Sequence, residues 1–148
     1  MEIKWVDTHC HLQLLNKNLN ESHYKNIEFL IIPGVDVESS SKAKEISSSL
    51  EVESYWSAGL HPHDAKLLDT QRHDLEKLFV EADLIGETGL DFYRNLSTKE
   101  EQRENFLFHL EFSKQLDKPV IIHCRDSFQD TYDLLVEFNN PSSVILHS

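Results

Sequence analysis

The chain has 148 residues, a length typical of one domain, and 39% of them are hydrophobic, which is enough for a buried core. Its 14 basic and 26 acidic residues give a net charge of −12 at pH 7. This charge excludes nonspecific adhesion to nucleic acid through a broadly basic surface. Enzymes that act on phosphate groups are not excluded, because carboxylates and histidines in a cleft bind divalent cations that then contact the phosphate.

The N-terminal sequence has no apolar run of signal-peptide length, and the longest aliphatic or aromatic stretch, residues 29–32, is too short to span a bilayer. Cys10 and Cys124 each stand beside a histidine, and we interpret both as small buried residues rather than as a disulfide. We therefore expect a single domain over residues 1–148, located in the cytoplasm and without a membrane partner.

Short apolar stretches alternate with longer amphipathic ones along the chain. Several of the short stretches are continuously apolar, as in parallel strands that are covered on both faces. The predicted strands cover residues 3–9, 28–34, 53–60, 83–88, 119–124 and 143–147, and the predicted helices cover residues 19–26, 38–50, 69–82, 97–117 and 126–139. At the start of the helix over 97–117, Ser97 and Glu100 have the spacing of a capping box.

Five β-α repeats followed by a sixth strand predict an α/β fold with a parallel sheet and right-handed crossovers. A doubly wound sheet and a (β/α)₈ barrel both have this alternation, and the sequence period does not separate them. In either fold the functional side chains gather beyond the carboxyl ends of the strands.

The stretch VDTHCHL closes the first predicted strand with three polar side chains at alternate positions. Residues i and i+2 share one face of a strand, so Asp7, His9 and His11 are expected to point the same way. Two adjacent neutral imidazoles can bind a metal ion. Asp7 is either a further ligand or a group that orients an imidazole, and we favour the orienting role.

Histidines and one glutamate follow the other strands in the same way. They are His61 and His63 in GLHPHD, Glu87 in IGETGLD, His123 in IIHCRD and His147 in ILHS. Imidazoles with a carboxylate suit Zn²⁺, Mn²⁺ or Mg²⁺, and a carboxylate between imidazoles can bridge two metals about 3.5–4 Å apart. The pattern therefore indicates a hydrolase with two metal ions.

The roles of several nearby polar residues are less specific. Arg125 and Arg94 each follow a candidate ligand segment, where a guanidinium either clamps phosphate or is a solvated loop charge. Asp91 is close to Glu87 in sequence, but loop aspartates usually stabilise turns. We interpret the three helical histidines as packing or surface residues: His23, His73 and His109.

Five segments, VDTHCHL, AGLHPHDA, IGETGLDFYR, KPVIIHCRDS and VILHS, together resemble the TatD family of metal-dependent deoxyribonucleases, within the amidohydrolase-like TIM-barrel group. The resemblance implies an incomplete (β/α)₈ TIM barrel with about six parallel strands and five helices. It also implies hydrolysis of DNA phosphodiesters, commonly from single-stranded or 3′ ends, with two divalent ions (Mg²⁺, Mn²⁺ or Zn²⁺).

The resemblance also implies a role for each matching residue. His9 and His11 are expected to hold one metal, Glu87 to bridge, and His123 and His147 to hold the second. His61 is expected to face the phosphate, and we add Arg125 as its clamp, so that the predicted catalytic groups are Glu87, His61 and Arg125.

Family members continue beyond this length, since a TIM barrel takes about 250 residues, and they supply a further aspartate ligand after the eighth strand. We therefore expect an N-terminal portion of such a barrel, with impaired activity and with open edges that favour self-association. Two alternatives stay open: a non-catalytic remnant, and a hydrolase of another phosphoester or of a cyclic amide on the same scaffold.

Overall fold

A computed structural model of the protein describes residues 3–15, 21–139 and 143–147. Its strands are β1 (Trp5–Asp7), β2 (Ile27–Pro33), β3 (Glu53–Ala58), β4 (Leu84–Asp91), β5 (Val120–Arg125) and β6 (Val144–His147). The α-helices of the described ranges are α1 (Val37–Ser49), α2 (Leu68–Glu81), α3 (Lys99–Leu116) and α4 (Phe128–Glu137). Short 3₁₀ turns lie at Leu12–Leu14, Glu21–His23 and Pro62–Leu67.

The order of the strands decides between the two predicted architectures. All neighbouring pairs are parallel, and the sheet runs in the order β1-β2-β3-β4-β5-β6. A doubly wound sheet reverses its order at a switch point, whereas a barrel adds each strand next to the previous one. The six strands therefore follow one another in chain order, as the strands of a barrel-type sheet do.

Side chains on the two faces of the sheet enter two separate apolar clusters. Leu30 and Ile32 belong to the larger cluster, which includes the buried residues of the helices, whereas Ile31 packs with Leu84 and Ile121 on the opposite face. This alternation follows from the two-residue period of a strand. The continuously apolar sequence of β2 thus reflects burial on both faces.

The described residues contain four α-helices instead of the predicted five. In the region of the predicted helix 19–26, a 3₁₀ turn at Glu21–His23 leads into β2 at Ile27; residues 19 and 20 lie outside the described ranges. β1 is also shorter than predicted, because it ends at Asp7. His9 and His11 therefore follow the strand rather than lying in it.

The predicted capping box at Ser97 and Glu100 is wrong by one residue. Thr98 is the N-cap of α3, its hydroxyl accepts from the Glu101 N–H, and the Glu101 carboxylate accepts from the Thr98 N–H. Ser97 is buried, and its hydroxyl donates to the carbonyl oxygen of His63 over 2.9 Å. This tertiary hydrogen bond occupies Ser97, so the next hydroxyl residue caps the helix.

Helix α3 contacts the sheet through buried polar side chains as well as apolar ones. His109 Nε2 accepts a hydrogen bond from the Leu60 N–H over 3.0 Å, and Asn105 Nδ2 donates to the Leu60 carbonyl oxygen over 2.7 Å. Both side chains are fully buried. They fix the backbone immediately before the segment that carries His61. His109 is thus a packing residue, as predicted.

The outer strands β1 and β6 expose apolar side chains. Each pairs with one neighbour among the described strands. Trp5, Val6, Val144 and Leu146 are among the exposed large hydrophobic residues. No helix among the described residues has both the length and the apolar character required of a transmembrane span.

Burial of His109 predicts a loss of stability in acid. Burial lowers its pKa to about 4, whereas an unfolded histidine titrates near 6.5. The unfolded chain therefore takes up the proton first as the pH falls, and the free energy of unfolding decreases from about pH 6.5 towards pH 4. We expect His109 to contribute roughly 2 kcal/mol to the decrease between about pH 7.5 and pH 5.

Urea unfolding at these two pH values tests this expectation. His109→Gln, whose amide oxygen can still accept from Leu60, should show a correspondingly smaller decrease than the wild type. His73→Gln is the matched control, because His73 is exposed on α2. Equal pH dependence in the wild type and His109→Gln would contradict the assignment.

Candidate metal centre

Histidines and carboxylates from five of the strands meet at one edge of the sheet. Parallel strands bring their carboxyl ends to the same edge, where polar side chains line an open cavity of about 310 Å³. The histidines and carboxylates of the group come from the segment after β1 (His9, His11), the segment after β3 (His61, His63), β4 (Glu87, Asp91), β5 (His123) and β6 (His147). The predicted convergence of the strand-end histidines is therefore present in the structure.

Glu87 lies at the centre of this group and is only 2% exposed. Its Oε2 atom is 3.2 Å from His9 Nε2 and 3.4 Å from His11 Nε2. Its Oε1 atom is 3.1 Å from His123 Nδ1 and 3.8 Å from His61 Nε2. The two oxygens of one carboxylate therefore face two different pairs of histidines.

A β-bulge in β4 brings Glu87 to this position. Ile85 pairs with Val120 and Thr88 pairs with Ile122, so β4 holds one more residue than β5 over this interval. Gly86 has φ +115°, a conformation that residues with a Cβ rarely adopt. The peptide bond between Gly86 and Glu87 is cis. The glycine of the IGETG motif thus permits the bulge that aims the carboxylate at the histidines.

The histidines keep Glu87 ionised despite its burial. Burial alone raises the pKa of a carboxyl group, but hydrogen bonds from His11, His123 and His9 outweigh it here and hold the pKa of Glu87 well below its usual range. The site therefore has a permanent negative charge at its centre. Such a charge attracts cations, whether protons on the imidazoles or metal ions.

His11 has the hydrogen bonding of a metal ligand. Its Nδ1 atom donates to the carbonyl oxygen of Pro33 over 3.0 Å, and its Nε2 atom faces Glu87 and His9. That Nε2 atom gives a hydrogen bond to Glu87 when it carries a proton, and offers a lone pair to a metal ion when it does not. Metal-binding histidines characteristically donate their second ring nitrogen in this way. His9 Nδ1 is buried without a hydrogen-bond partner among the described residues, while its Nε2 faces the cluster.

The spacing of these atoms also fits a metal ion. Tetrahedral ligands about 2.0–2.1 Å from a zinc ion are roughly 3.4 Å from one another. The distances between His9 Nε2, His11 Nε2 and Glu87 Oε2 are 3.1, 3.2 and 3.4 Å. The donor set of two imidazoles and a carboxylate is also one that divalent transition metals bind.

Within the described ranges, two groups of three side chains have ligand atoms within 4.8 Å of one another. One group contains His9, Glu87 and His147, in which the rings of His9 and His147 stack with centroids 3.7 Å apart. The other contains His61, His63 and His123. The structure thus groups His147 with His9, whereas the sequence resemblance pairs it with His123; the ligand assignment itself stays a prediction.

Asp91 belongs to the site, which the sequence analysis missed. It is the last residue of β4, is fully buried, and its Oδ2 atom accepts from His63 Nε2 over 2.7 Å and from His123 Nε2 over 3.1 Å. Burial raises its pKa, but the N–H of Arg94 and the imidazoles of His63 and His123 outweigh this and lower it to about 2. The feature of the sequence that could have indicated this role is its position, four residues after Glu87.

His123 lies between the two carboxylates. Burial opposes its charged form, but the hydrogen bonds and charges of Glu87 and Asp91 outweigh burial and raise the pKa of His123. Burial lowers the pKa of His147. His63 was noted in the sequence but omitted from the predicted ligand set; its spacing from His61 repeats that of His9 and His11.

His61 differs from His11 in its tautomer. Its Nδ1 accepts from the His63 N–H over 3.2 Å, so the neutral ring carries its proton on Nε2. Burial lowers the pKa of His61 to about 3, and the ring is neutral at physiological pH. His61 therefore offers an N–H donor to the cavity rather than a lone pair.

Asp7 and Arg125 lie at the margin of the site. Asp7 Oδ1 accepts from the His9 backbone N–H over 3.1 Å, so it orients His9 through the main chain rather than through an imidazole. The Arg125 guanidinium carbon lies 3.9 Å from the centroid of the Tyr93 ring. Its predicted contact with phosphate stays a prediction.

Gln102 of α3 fixes the main chain of Asp91. Its Oε1 atom accepts from the Asp91 N–H over 2.8 Å, and its Nε2 atom donates to the carbonyl oxygens of Asp91 over 3.2 Å and of Ser97 over 2.9 Å. Gln102 is fully buried. Together with Asn105 and His109 it forms a polar stripe on one face of α3 that holds the backbone at Leu60 and Asp91.

The barrel-type parallel sheet and the histidine–carboxylate cluster at its carboxyl edge put this protein in the class of α/β-barrel proteins with a candidate metal site. The sequence profile of the TatD-related DNases matches residues 6–148. The chain belongs to the TatD-related DNase family, as its sequence motifs indicate.

Relatives of known sequence and structure agree with this membership. An uncharacterized metal-dependent hydrolase of Buchnera aphidicola subsp. Baizongia pistaciae is 34% identical, over 97% of this chain and 58% of its own length. The Escherichia coli K12 protein named 3′-5′ ssDNA/RNA exonuclease TatD is 36% identical, over 72% of this chain and 42% of its own. The crystal structure of the TatD homologue YJJV from Escherichia coli K12 has a TM-score of 0.88 at 22% identity, covering 100% of this chain and 61% of that one.

These comparisons confirm the predicted fold class, with four α-helices in place of five. They also show that the chain spans about three-fifths, or less, of the length of these relatives.

Removing the Gln102 amide tests its effect on the centre. Gln102→Leu leaves the buried N–H of Asp91 without an acceptor, and we expect a loss of about 1–3 kcal/mol in the free energy of unfolding. Metal binding should weaken as well, because Asp91 positions His63 and His123. Urea denaturation and equilibrium dialysis with Mn²⁺ measure the two effects. Gln115→Leu on the exposed face of α3 is the control, and a loss of similar size there would argue against a specific role for Gln102.

Proposed function

We propose that this chain carries the metal centre of a phosphodiester hydrolase that cleaves DNA, with single-stranded or 3′ ends as its substrates. The proposed cofactors are two divalent ions, Mg²⁺, Mn²⁺ or Zn²⁺. The proposed ligands are those predicted from the sequence, with Glu87 between the two ions: His9, His11, Glu87, His123 and His147. The catalytic groups are Glu87, His61 and Arg125.

The observation that carries this proposal is the position of the Glu87 carboxylate. Its two oxygens face different histidine pairs within 3.1–3.8 Å, which is the arrangement that a bridging carboxylate needs. The exonuclease name of the Escherichia coli relative supports nucleic acid as the substrate class.

Bound divalent ions would polarise the phosphoryl oxygen and lower the pKa of a water molecule. The protein residues have separate tasks. Glu87 holds a fixed negative charge, and the tautomer of His11 directs a lone pair into the centre. Neutral His61 donates a hydrogen bond from its Nε2–H to a phosphate oxygen, and the guanidinium of Arg125 binds the same phosphate group.

Hydrolysis assays with this chain test the proposed substrate. We expect Mn²⁺-dependent release of nucleotides from 3′-labelled single-stranded DNA, with little hydrolysis of a small phosphodiester or of a cyclic amide. Faster turnover of either small compound would favour the alternative hydrolase. Metal binding without any hydrolysis would favour a non-catalytic remnant.

Glu87→Gln tests the role of the central carboxylate. The substitution removes the negative charge that both histidine pairs face. We therefore expect the cleavage rate to fall by at least about a hundredfold and the metal-induced thermal stabilisation to be lost. Glu111→Gln, an exposed position on α3, should behave as the wild type. Turnover near the wild-type level in Glu87→Gln would remove this residue from its proposed role.

Self-association through the open sheet edges is a second part of the proposal. β1 and β6 expose apolar side chains, and unpaired strand edges favour pairing with another chain. A cytoplasmic location stays a prediction from the sequence.

Sedimentation velocity at increasing protein concentration measures this association. We expect the wild type to form dimers or larger species and Leu146→Lys, on β6, to shift the distribution towards monomer. Val80→Lys, at an exposed apolar position on α2, is the control. A wild-type chain that remains monomeric at all concentrations would contradict the expectation.

A further inference from the structure

An exposed aromatic side chain lies beside the metal centre. Tyr93 follows β4 and is 61% exposed. Its backbone N–H donates to Asp91 Oδ1 over 3.0 Å, while the other oxygen of the same carboxylate accepts from His63 and His123. Asp91 thus connects the backbone of Tyr93 directly to the histidine cluster. The tyrosine is held near the centre although its ring is not buried.

Arg125 covers one face of the Tyr93 ring, with its guanidinium carbon 3.9 Å from the ring centroid. It follows His123 by two residues in β5, so both side chains project from the same face of the strand, roughly 7 Å apart along it. The Phe92 N–H donates to the Arg125 carbonyl oxygen over 3.0 Å, which connects the loop after β4 to the end of β5. Ring and guanidinium therefore form a positioned pair beside the histidine cluster, at the end of β5.

We propose that Tyr93 and Arg125 form a nucleotide-binding shelf, in which a base of single-stranded nucleic acid stacks on the open face of Tyr93 and Arg125 binds the adjoining phosphate. Aromatic rings stack bases of any sequence, and a guanidinium binds phosphate through two parallel hydrogen bonds. The net charge of −12 makes a cation at this position important, because the surface as a whole repels a polyanion.

This inference rests on the proposed nuclease function and adds a subsite for the nucleotide next to the reacting phosphate. In this arrangement Tyr93 positions substrate and takes no part in the chemistry. The shelf recognises the presence of a base rather than its identity. It therefore favours binding of single strands, whose bases are free to stack, over binding of duplexes.

Fluorescence anisotropy with matched oligonucleotides tests the shelf. The probe is a 5′-fluorescein DNA octamer in Ca²⁺, from which each of the two 3′-terminal bases is removed in turn to leave an abasic sugar; its intact recovery after the titration is checked. We expect the wild type to bind the intact octamer at least about fivefold more tightly than one of the abasic probes. Tyr93→Leu should bind the intact and abasic probes equally, whereas Tyr93→Phe should keep the preference.

Two further variants separate stacking from charge and from general surface effects. Arg125→Leu should weaken binding of the intact and abasic probes, because it removes the phosphate contact. Tyr132→Leu, at a tyrosine that is 54% exposed on α4, should leave the preference unchanged. Circular dichroism should show the same thermal unfolding for Tyr93→Leu and the wild type, since the ring is exposed.

The outcomes distinguish this inference from the proposed function. Base-dependent binding that requires Tyr93, in a chain without metal-dependent cleavage, would keep the shelf and overturn the nuclease proposal. Cleavage with equal binding of all probes by the wild type would overturn the shelf alone. An equal loss of preference in Tyr132→Leu and Tyr93→Leu would also overturn it.

Discussion

The buried carboxylate of Glu87 is the constraint on which the rest of the site depends. An ionised carboxylate removed from water is costly unless it is surrounded by donors or cations. Here the compensation comes from four imidazoles that belong to three different segments of the chain: His9, His11, His61 and His123. No single segment can supply them, so the charge is stabilised only when the sheet is assembled.

The sheet provides this assembly because its strands are parallel and sequential. Each strand ends at the same edge, and all of them except β2 contribute a polar side chain to the site shortly before or after the end of the strand. The bulge of β4 then places the Glu87 carboxylate between the histidines that follow β1 and β3 and the histidine of β5. A fold with the same elements in another order would separate His9 from His123.

Helix α3 supports the centre from behind the sheet. Its buried polar stripe, Gln102, Asn105 and His109, hydrogen bonds to main-chain groups at Leu60 and Asp91. Buried polar groups of this kind fix geometry, because each would lose its partner if the backbone moved. The helix therefore combines apolar packing with positioning of the segments that carry His61 and Asp91.

Much of the fold and most of the site residues could be predicted from the sequence by itself. Hydrophobic period and segment length predicted six strands close to their observed ranges and four of the helices. The recurrence of histidines at strand ends predicted which side chains converge. Such patterns are local, and a parallel strand that is buried on both faces has a continuously apolar sequence. The family motifs then indicated the barrel rather than a doubly wound sheet.

Tertiary structure decided the features that depend on contacts between distant segments. One oxygen of Asp91 accepts from the N–H groups of Tyr93 and Arg94, which is the turn role that the sequence indicates. Its other oxygen accepts from His63 and His123, which belong to distant segments of the chain. Ser97 has the sequence signature of a cap, but its hydroxyl bonds to His63, and Thr98 caps α3 instead. The tautomers of His11 and His61 follow from acceptors and donors that the folded backbone presents. Local sequence sets what a residue can bind, whereas the partner it binds is chosen by the assembled sheet and helices.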